Sequence, residues 1–178
     1  IEEIFWTCGA AMLIRMSVLK KIGYLDETIG AYGEELDLCW RMKLAGYKCL
    51  FVPKSIIYHL GSGSWGVKRL YFRKFYLTHR NHWMILFKNY DKKTWLKILP
   101  MKFLLEAIAF FGFLFKEPSR SMAIAKAGFW ILFHPMTLLE KNREISKLKK
   151  ISDDKIMDKM IRKSIAFDYY VLRNKKKF

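Results

Sequence analysis

Residues 31–46 read AYGEELDLCWRMKLAG, and this stretch decides how the first part of the chain folds. Three carboxylates fall within four positions, directly before apolar residues that recur at helical spacing. The pattern predicts an amphipathic helix over residues 34–45, followed by a left-handed Gly46. Acidic residues in a first helical turn each stabilise a helix by about 0.3–1 kcal/mol through its macrodipole. The acids therefore either open the helix or hold a carboxylate in a cleft for chemistry.

The segments that flank this helix alternate between strand-like and helical patterns. Residues 9–15, GAAMLIR, are small and apolar and predict a buried strand. Ser17 can cap a short helix that Gly23 would end, and a glycine-containing loop follows. Two further strands are predicted at residues 47–53 and 55–61. The order strand, helix, loop, helix, strand, strand is typical of an α/β fold.

Charge divides the chain near residue 66. Residues 1–66 carry seven basic and seven acidic residues, whereas residues 67–178 carry 26 basic and nine acidic ones and hold the whole net charge of +17. This split predicts a neutral α/β part and a basic part suited to anionic lipid or nucleic acid. Because the bases are spread over apolar helices instead of forming one solvated stripe, nucleic acid is the less favoured partner.

Helices that lie on a membrane are predicted for the basic part. Residues 67–100 are rich in aromatic and basic side chains, and residues 103–115 and 121–139 are apolar runs of 13 and 19. A spanning helix needs about 20 apolar residues, so the first run is too short, and a lysine, a histidine and a proline interrupt the second. Neighbouring lysines favour helices in the headgroup region, with a packed bundle or a true span as alternatives. Residues 147–178 predict a charged amphipathic helix with a basic end.

The cysteines predict neither a disulfide framework nor a zinc site. Cys8, Cys39 and Cys49 are odd in number and lack paired spacing, which fits free thiols in a reducing compartment. We expect Cys8 and Cys39 to be small buried residues and Trp40 to lie in the core.

A set of motifs in fixed order covers residues 6–64. The stretches WTCGAAMLIR, GYLDE, EELDLCWR and GYKCLFVP are followed by a histidine just before GSGS. Together they resemble the family 2 glycosyltransferases of bacterial cell-surface polysaccharide synthesis, most closely the rhamnosyltransferase-like members. The resemblance implies a GT-A fold, in which a Rossmann-like α/β sheet supports inverting transfer of a sugar from a nucleotide donor.

The resemblance also implies a division of the chain. Residues 1–66 would be the acceptor-side, carboxy-terminal half of the GT-A domain, and residues 67–178 a basic helical region that associates with membrane. The half with the nucleotide-binding strands and the D-x-D metal motif would precede Ile1. We therefore expect the chain to be cut within a domain and to be inactive by itself.

The resemblance places the catalytic base at the second acid of the helix start, which is Glu35. Inverting transfer needs one base to take the proton of the acceptor hydroxyl, from a carboxylate about 2.6–3.2 Å away. The family has Asp at this position, and the longer glutamate leaves Asp37 and Glu34 as alternatives.

A divalent metal, Mg or Mn, is implied beside the diphosphate of the donor. A histidine at the position of His59 helps to ligate that metal in metal-dependent relatives, and neutral imidazole is a common metal ligand. The alternative is a histidine that closes a strand through a backbone hydrogen bond. The remaining ligands are expected outside this sequence.

Four further residues are candidates for substrate binding. Trp6 and Trp65 are placed to stack on sugar, and Gly9 opens the small apolar run. Arg41 is either a phosphate ligand or the i, i+4 salt-bridge partner of Asp37, and the second is favoured. The loop that contains Trp65 is either a lid near phosphate or an ordinary linker.

These features predict an inverting glycosyltransferase that extends a lipid-linked or surface glycan. Its partners would be a nucleotide-sugar donor, a lipid-linked acceptor and an anionic membrane, and it would lie peripherally on the cytoplasmic face of the inner membrane. The alternatives are a basic helical module that binds membrane or nucleic acid, and a non-catalytic protein that keeps the fold.

Overall fold

The computed structural model of the protein describes residues 1–60, 71–158 and 160. Within them the chain is mostly helical, with a small antiparallel sheet in which Glu2 pairs with Phe51 and Ile4 with Cys49. The elements in chain order are β1 (Glu2–Ile4), a 3-10 turn (Gly9–Ala11), α1 (Met16–Ile22), α2 (Glu34–Leu44), β2 (Cys49–Phe51), α3 (Tyr71–Asn89), α4 (Lys92–Leu114), α5 (Pro118–Phe133), α6 (Pro135–Ser146) and α7 (Asp153–Met157).

The helix predicted from the acidic stretch is confirmed as α2. It ends within one residue of the predicted boundary, and Gly46 follows with a φ of 88°. The short helix before it is confirmed as α1, and Gly23 ends it with a φ of 85°. Its predicted cap is wrong, because Ser17 lies inside the helix and Arg15 occupies the N-cap position without a side-chain cap.

Two predicted strands are absent from the described residues. Residues 9–15 form the 3-10 turn and then an irregular stretch, and residues 55–60 form no regular element. A strand needs a neighbour for its backbone groups, and within the described chain β1 and β2 pair only with each other. The strand predicted at residues 47–53 is present in shortened form as β2.

One hydrophobic core is built from both parts of the chain. Its buried members come from the first part and from α3, α6 and α7 of the basic part: Ile29, Trp40, Leu44, Met84, Ile85, Tyr90, Leu138, Ile145 and Ile156. Trp40 is confirmed as a core residue, with Phe5 at 5.5 Å and Tyr90 at 4.7 Å between ring centroids. The domain boundary predicted at residue 66 lies outside the described residues and stays a prediction.

None of the described helices is both long and apolar enough to cross a bilayer alone. α5 and α6 meet that length and composition only as a pair, and they bend by 73° at His134, where Pro135 begins α6. The single tail helix predicted from residue 147 is wrong in its first part, because residues 147–152 separate α6 from the short α7. Most of the rest of that tail lies outside the described residues.

Candidate active site

The acidic helix start is held by a loop with unusual backbone geometry. Tyr32 has a φ of 70° and Gly33, the N-cap of α2, has a φ of 99°. A Cβ on Gly33 would lie 3.0 Å from Cδ1 of Ile85 on α3. Gly33 is therefore needed both for its left-handed conformation and for the close approach of α3. The turn fixes the direction in which α2 presents its first carboxylates.

Glu34 and Glu35 form a half-buried carboxyl pair in the first turn of α2. The Glu34 Oε2 atom is buried and has no hydrogen-bond partner among the described residues. Burial raises the pKa of Glu34, and the neighbouring Glu35 carboxylate raises it further. No cation of the described chain forms a salt bridge with either side chain. The pair is thus suited to share or exchange a proton.

Gly9 lies against this pair. A Cβ built on Gly9 would be 3.8 Å from the Cβ of Glu35, so the 3-10 turn packs directly beside the first turn of α2. The family resemblance gives both residues a role in one site although they are 26 positions apart in the sequence. The fold brings them together. The absence of a side chain at Gly9 leaves space beside the Cβ of Glu35.

Asp37, an alternative base, occupies a different environment. Its side chain is fully buried, and its Oδ2 atom is 2.8 Å from Arg41 Nε and 2.9 Å from Lys88 Nζ. Asn89 donates a hydrogen bond of 3.0 Å to the other carboxylate oxygen. An acceptor hydroxyl cannot reach a carboxylate that is enclosed and neutralised in this way. The structure therefore makes Asp37 an anchor between α2 and α3 and removes it as a base.

Arg41 faces the interior and not a substrate. Besides its ion pair with Asp37, its guanidinium donates to the carbonyls of Ile22 (2.8 Å), Gly23 (3.1 Å) and Tyr24 (2.8 Å). These carbonyls lie at and beyond the carboxyl end of α1, where a helix leaves acceptors unpaired. The salt-bridge alternative is present, and the assignment of Arg41 to substrate binding is corrected.

The remaining candidates are Trp6, His59 and Trp65. Trp6 is about half exposed, which suits a stacking surface, and its role stays a prediction. His59 is exposed in the irregular stretch after β2, and the described chain contains no group of three His, Cys, Asp or Glu side chains that could hold a metal ion. Trp65 lies in residues 61–70, outside the described chain. The described residues alone therefore do not form the implied metal site.

The cysteine expectations are met only in part. Cys39 and Cys49 are buried free thiols, whereas Cys8 is exposed. The prediction that Cys8 is buried is wrong, and Cys8 directly precedes the 3-10 turn.

The buried ion network around Asp37 extends to Asp26 and Lys141, which no sequence motif indicated. Lys88 also contacts Asp26 at 2.7 Å, and Lys141 of α6 contacts both carboxylate oxygens of Asp26 at 2.8 Å. Burial alone would raise the pKa of Asp26, but Lys141 and Lys88 hold it well below its usual value. These partners are 62 and 115 residues from Asp26, and no local pattern in a single sequence connects them.

Large apolar side chains are exposed on α4, on α5 and at the start of α6, and together they are called the exposed apolar face. Its members are Leu96, Met101, Phe103, Leu104, Ile108, Phe111, Phe115, Met122, Phe129, Leu132, Phe133 and Met136. The acidic side chain of α4 points the other way, since Glu106 contacts His79 of α3 at 2.6 Å and also pairs with Lys102. Basic residues flank the apolar face at Lys92, Lys93, Lys97 and Lys116.

The family of the chain follows from comparison with known proteins. The sequence profile of glycosyl transferase family group 2 matches residues 2–139, more than three quarters of the chain. The chain therefore belongs to this family, and its resemblance to family 2, rhamnosyltransferase-like enzymes is confirmed. The family implies an α/β GT-A fold, of which the described residues show a mostly helical portion with the two-stranded sheet.

Three named relatives are similar over short segments. A pre-mycofactocin glycosyltransferase of Mycobacterium tuberculosis is 38% identical over 58 residues, which cover 33% of this chain and 12% of the relative. Rhamnosyltransferase WbbL of Escherichia coli K12 is 38% identical over 48 residues (27% and 18%). N-acetylglucosaminyl-diphospho-decaprenol L-rhamnosyltransferase of M. tuberculosis is 31% identical over 65 residues (36% and 21%).

The chain matches only a small share of these curated relatives, between 12% and 21% of their length. No solved structure matches it significantly.

Proposed function

We propose that this chain is part of an inverting glycosyltransferase and carries its catalytic base. The observation that supports the proposal is the half-buried Glu34–Glu35 pair, which lies beside Gly9 at the start of α2 in a chain of this family. Of the three acids in the stretch, these two remain outside the buried ion network. Glu35 is the base, in agreement with its position in the family motif.

The reaction is a single displacement at the anomeric carbon of the donor sugar. The acceptor hydroxyl oxygen attacks that carbon, its proton passes to the Glu35 carboxylate, and the bond to the nucleoside diphosphate breaks with the electron pair leaving on phosphate oxygen. Glu34, whose pKa is raised by burial and by Glu35, keeps its proton to a higher pH than an ordinary glutamate, and in its protonated form it donates a hydrogen bond to Glu35. That hydrogen bond would hold the base in position and keep the two carboxylates from repelling each other.

A divalent metal, Mg or Mn, remains part of the proposal. When bound, such an ion neutralises the charge that develops on the leaving diphosphate. His59 is the candidate ligand that this sequence supplies, and its partners would have to come from beyond the described residues.

The substrate class is proposed from the names of the relatives. One is named as an L-rhamnosyltransferase acting on N-acetylglucosaminyl-diphospho-decaprenol. We assign to the protein that contains this chain a nucleotide-sugar donor and a lipid-linked glycan acceptor, for surface polysaccharide synthesis.

The exposed apolar face favours attachment to an anionic membrane. Large apolar surfaces on a protein with flanking lysines are typical of helices that lie in the headgroup region. Each lysine near an anionic surface contributes about 1 kcal/mol. In this arrangement α4 lies in the membrane plane, the protein is peripheral on the cytoplasmic face of the inner membrane, and a lipid-linked acceptor is held near the site.

The catalytic proposal is tested with Glu35→Gln in the full-length protein. Release of nucleoside diphosphate is measured with a panel of nucleoside-diphosphate sugars, including L-rhamnose donors, and an N-acetylglucosaminyl diphosphoprenol acceptor. Loss of general-base catalysis typically costs about 10²–10⁴-fold, so we expect kcat to fall by that amount. Glu144→Gln, the same change at an exposed glutamate of α6 outside the candidate site, is the matched control, and parental activity of Glu35→Gln would remove Glu35 as the base.

The membrane proposal is tested by flotation with phosphatidylcholine vesicles that do or do not contain phosphatidylglycerol. We expect binding that needs the anionic lipid and is lost in the double variant Phe103→Ser, Phe111→Ser. Leu13→Ser is the matched control, because Leu13 is fully exposed outside the apolar face. Binding to heparin without vesicle flotation would instead favour a nucleic-acid partner.

A further inference from the structure

We infer that Asn81 of α3, supported by Arg80, is a positioning residue for the Glu34–Glu35 pair. The inference rests on the proposed function, because it concerns the same site. It assigns to the basic helical part of the chain a direct role in the geometry of catalysis. Neither residue belongs to the motifs that carry the family resemblance.

Asn81 holds the loop that leads into α2. Its side chain is fully buried, and its Nδ2 atom donates to the backbone carbonyls of Ile29 (3.1 Å), Ala31 (2.7 Å) and Tyr32 (2.8 Å). Tyr32 is two residues before Glu34. Three carbonyl oxygens around one amide nitrogen leave no room for the opposite amide orientation, which would place oxygen against oxygen.

Arg80 fixes the carboxamide from its other side. Its Nε and Nη2 atoms donate to Asn81 Oδ1 at 3.0 and 2.7 Å, and Nη2 also donates to the carbonyls of Thr28 (2.8 Å) and Ile29 (3.0 Å). The guanidinium lies over the ring of Trp130 on α5, 5.2 Å from its centroid. Two consecutive side chains of α3 thus donate hydrogen bonds to four of the backbone carbonyls in residues 28–32.

The loop requires this support because its conformation is unfavourable by itself. Gly30, Tyr32 and Gly33 all have positive φ angles, of 68°, 70° and 99°. A left-handed conformation is unfavourable for a non-glycine residue, because its Cβ lies too close to the following carbonyl oxygen. Such conformations persist where surrounding contacts determine them. The contacts from Asn81 lie on the carbonyl of the strained Tyr32 itself, so losing them would let the start of α2 move.

Asn142 of α6 provides a matched control within the same chain. Its Nδ2 atom also donates to three backbone carbonyls, those of Phe87 (2.9 Å), Lys88 (3.2 Å) and Tyr90 (2.8 Å), and its side chain is also buried. These carbonyls lie at the end of α3 and not in the loop before α2. Asn81 and Asn142 therefore make the same type of contact, but only one of them makes it next to the carboxyl pair.

The test compares Asn81→Asp with Asn142→Asp in the full-length protein, using the donor and acceptor panel given above. A displacement of about 1 Å at a reacting group can cost about 10²-fold. We expect Asn81→Asp to lower kcat by about 10- to 100-fold, with the KM for donor changed less than threefold. The acid limb of its pH–rate profile should also shift, because the spacing of the carboxyl pair changes. Asn142→Asp should lose comparable thermal stability but keep kcat within threefold.

Hydrogen exchange supplies a readout that does not need activity. Amides of residues 28–35 should exchange faster in Asn81→Asp and unchanged in Asn142→Asp. If Asn81→Asp does not fold, Arg80→Lys is the milder variant, and it should show a smaller fall in kcat with faster exchange in the same segment.

The outcomes separate the two proposals. Equal kcat in the Asn81, Arg80 and Asn142 variants, with Glu35→Gln inactive, would overturn the positioning role alone. Activity retained in Glu35→Gln would overturn the proposed function, because Glu35 would then not be the catalytic base.

Discussion

The first turn of α2 contains carboxylates in opposite environments. Glu34 and Glu35 are half-buried, with no cation bound among the described residues, and one of them has a buried oxygen without a partner. Asp37, two residues after Glu35, is completely enclosed by Arg41, Lys88 and Asn89. The comparison teaches that position in a motif does not decide the role of a carboxylate. Neighbours from other elements decide that role. They leave Glu34 and Glu35 without a cation among the described residues, and they fix Asp37 as an ion-pair anchor.

The largest effect on stability is expected at Asp37. Removing one member of a buried ion pair leaves its partners charged and buried, which typically costs about 3–5 kcal/mol. We expect Asp37→Asn to lower the free energy of unfolding by about that amount, measured by urea denaturation at pH 7. Glu35→Gln is the control and should stay within about 0.5 kcal/mol of the parent. Equal stabilities of the two variants would contradict the distinction between the Glu35 and Asp37 environments.

A smaller effect is expected at Gly33, the left-handed residue that directly precedes Glu34. Gly33→Ala introduces a Cβ at a φ of 99° and 3.0 Å from Ile85 Cδ1. Left-handed strain and overpacking each cost about 1–3 kcal/mol, so we expect a loss of that order in thermal unfolding. Gly30→Ala is a useful comparison, since its added Cβ would meet nothing closer than 3.9 Å although its φ is also positive. If Gly30→Ala destabilises the protein as much as Gly33→Ala, the contact with Ile85 is not important.

The smallest effect is expected in the pH dependence of stability at Glu34. Burial and the nearby Glu35 raise the pKa of Glu34 in the folded protein, so the folded state binds this proton more tightly than the unfolded state does. Stability from this group is therefore present at low pH and is lost as pH rises through the raised value. Glu34→Gln should match the parent below pH 4 and be more stable at pH 7, by less than about 0.5 kcal/mol. A variant less stable than the parent at pH 7 would contradict the raised pKa.

Local patterns located α1 and α2, but two of the three predicted strands do not form among the described residues. Acidic residues before an apolar helical repeat, with glycine after it, specified α2 to within one residue. The run GAAMLIR has the composition of a strand but forms a 3-10 turn and an irregular stretch, because a strand also needs a neighbour. α4 and α5 also carry many exposed apolar residues, and periodicity alone could not say which side of α4 points inward.

The candidate site shows the same division. The motif order pointed to Glu35 and Gly9 together, and their packing agrees with that pairing. It also offered Asp37 as a base and Arg41 as a ligand, and both are buried in an ion network with Lys88. The contribution of Asn81 has no local signal, since its partners lie about fifty residues earlier in the chain.

The amino-acid sequence by itself determined the helix start, its glycine-rich turn, the uneven charge and the family of the chain, because these depend on neighbouring residues and motif order. Only the tertiary structure decided which acid is enclosed, which face of α4 is exposed and which residues hold the loop before α2. Burial and long-range hydrogen bonds arise from contacts between distant segments. A linear sequence of residue types does not contain those distances.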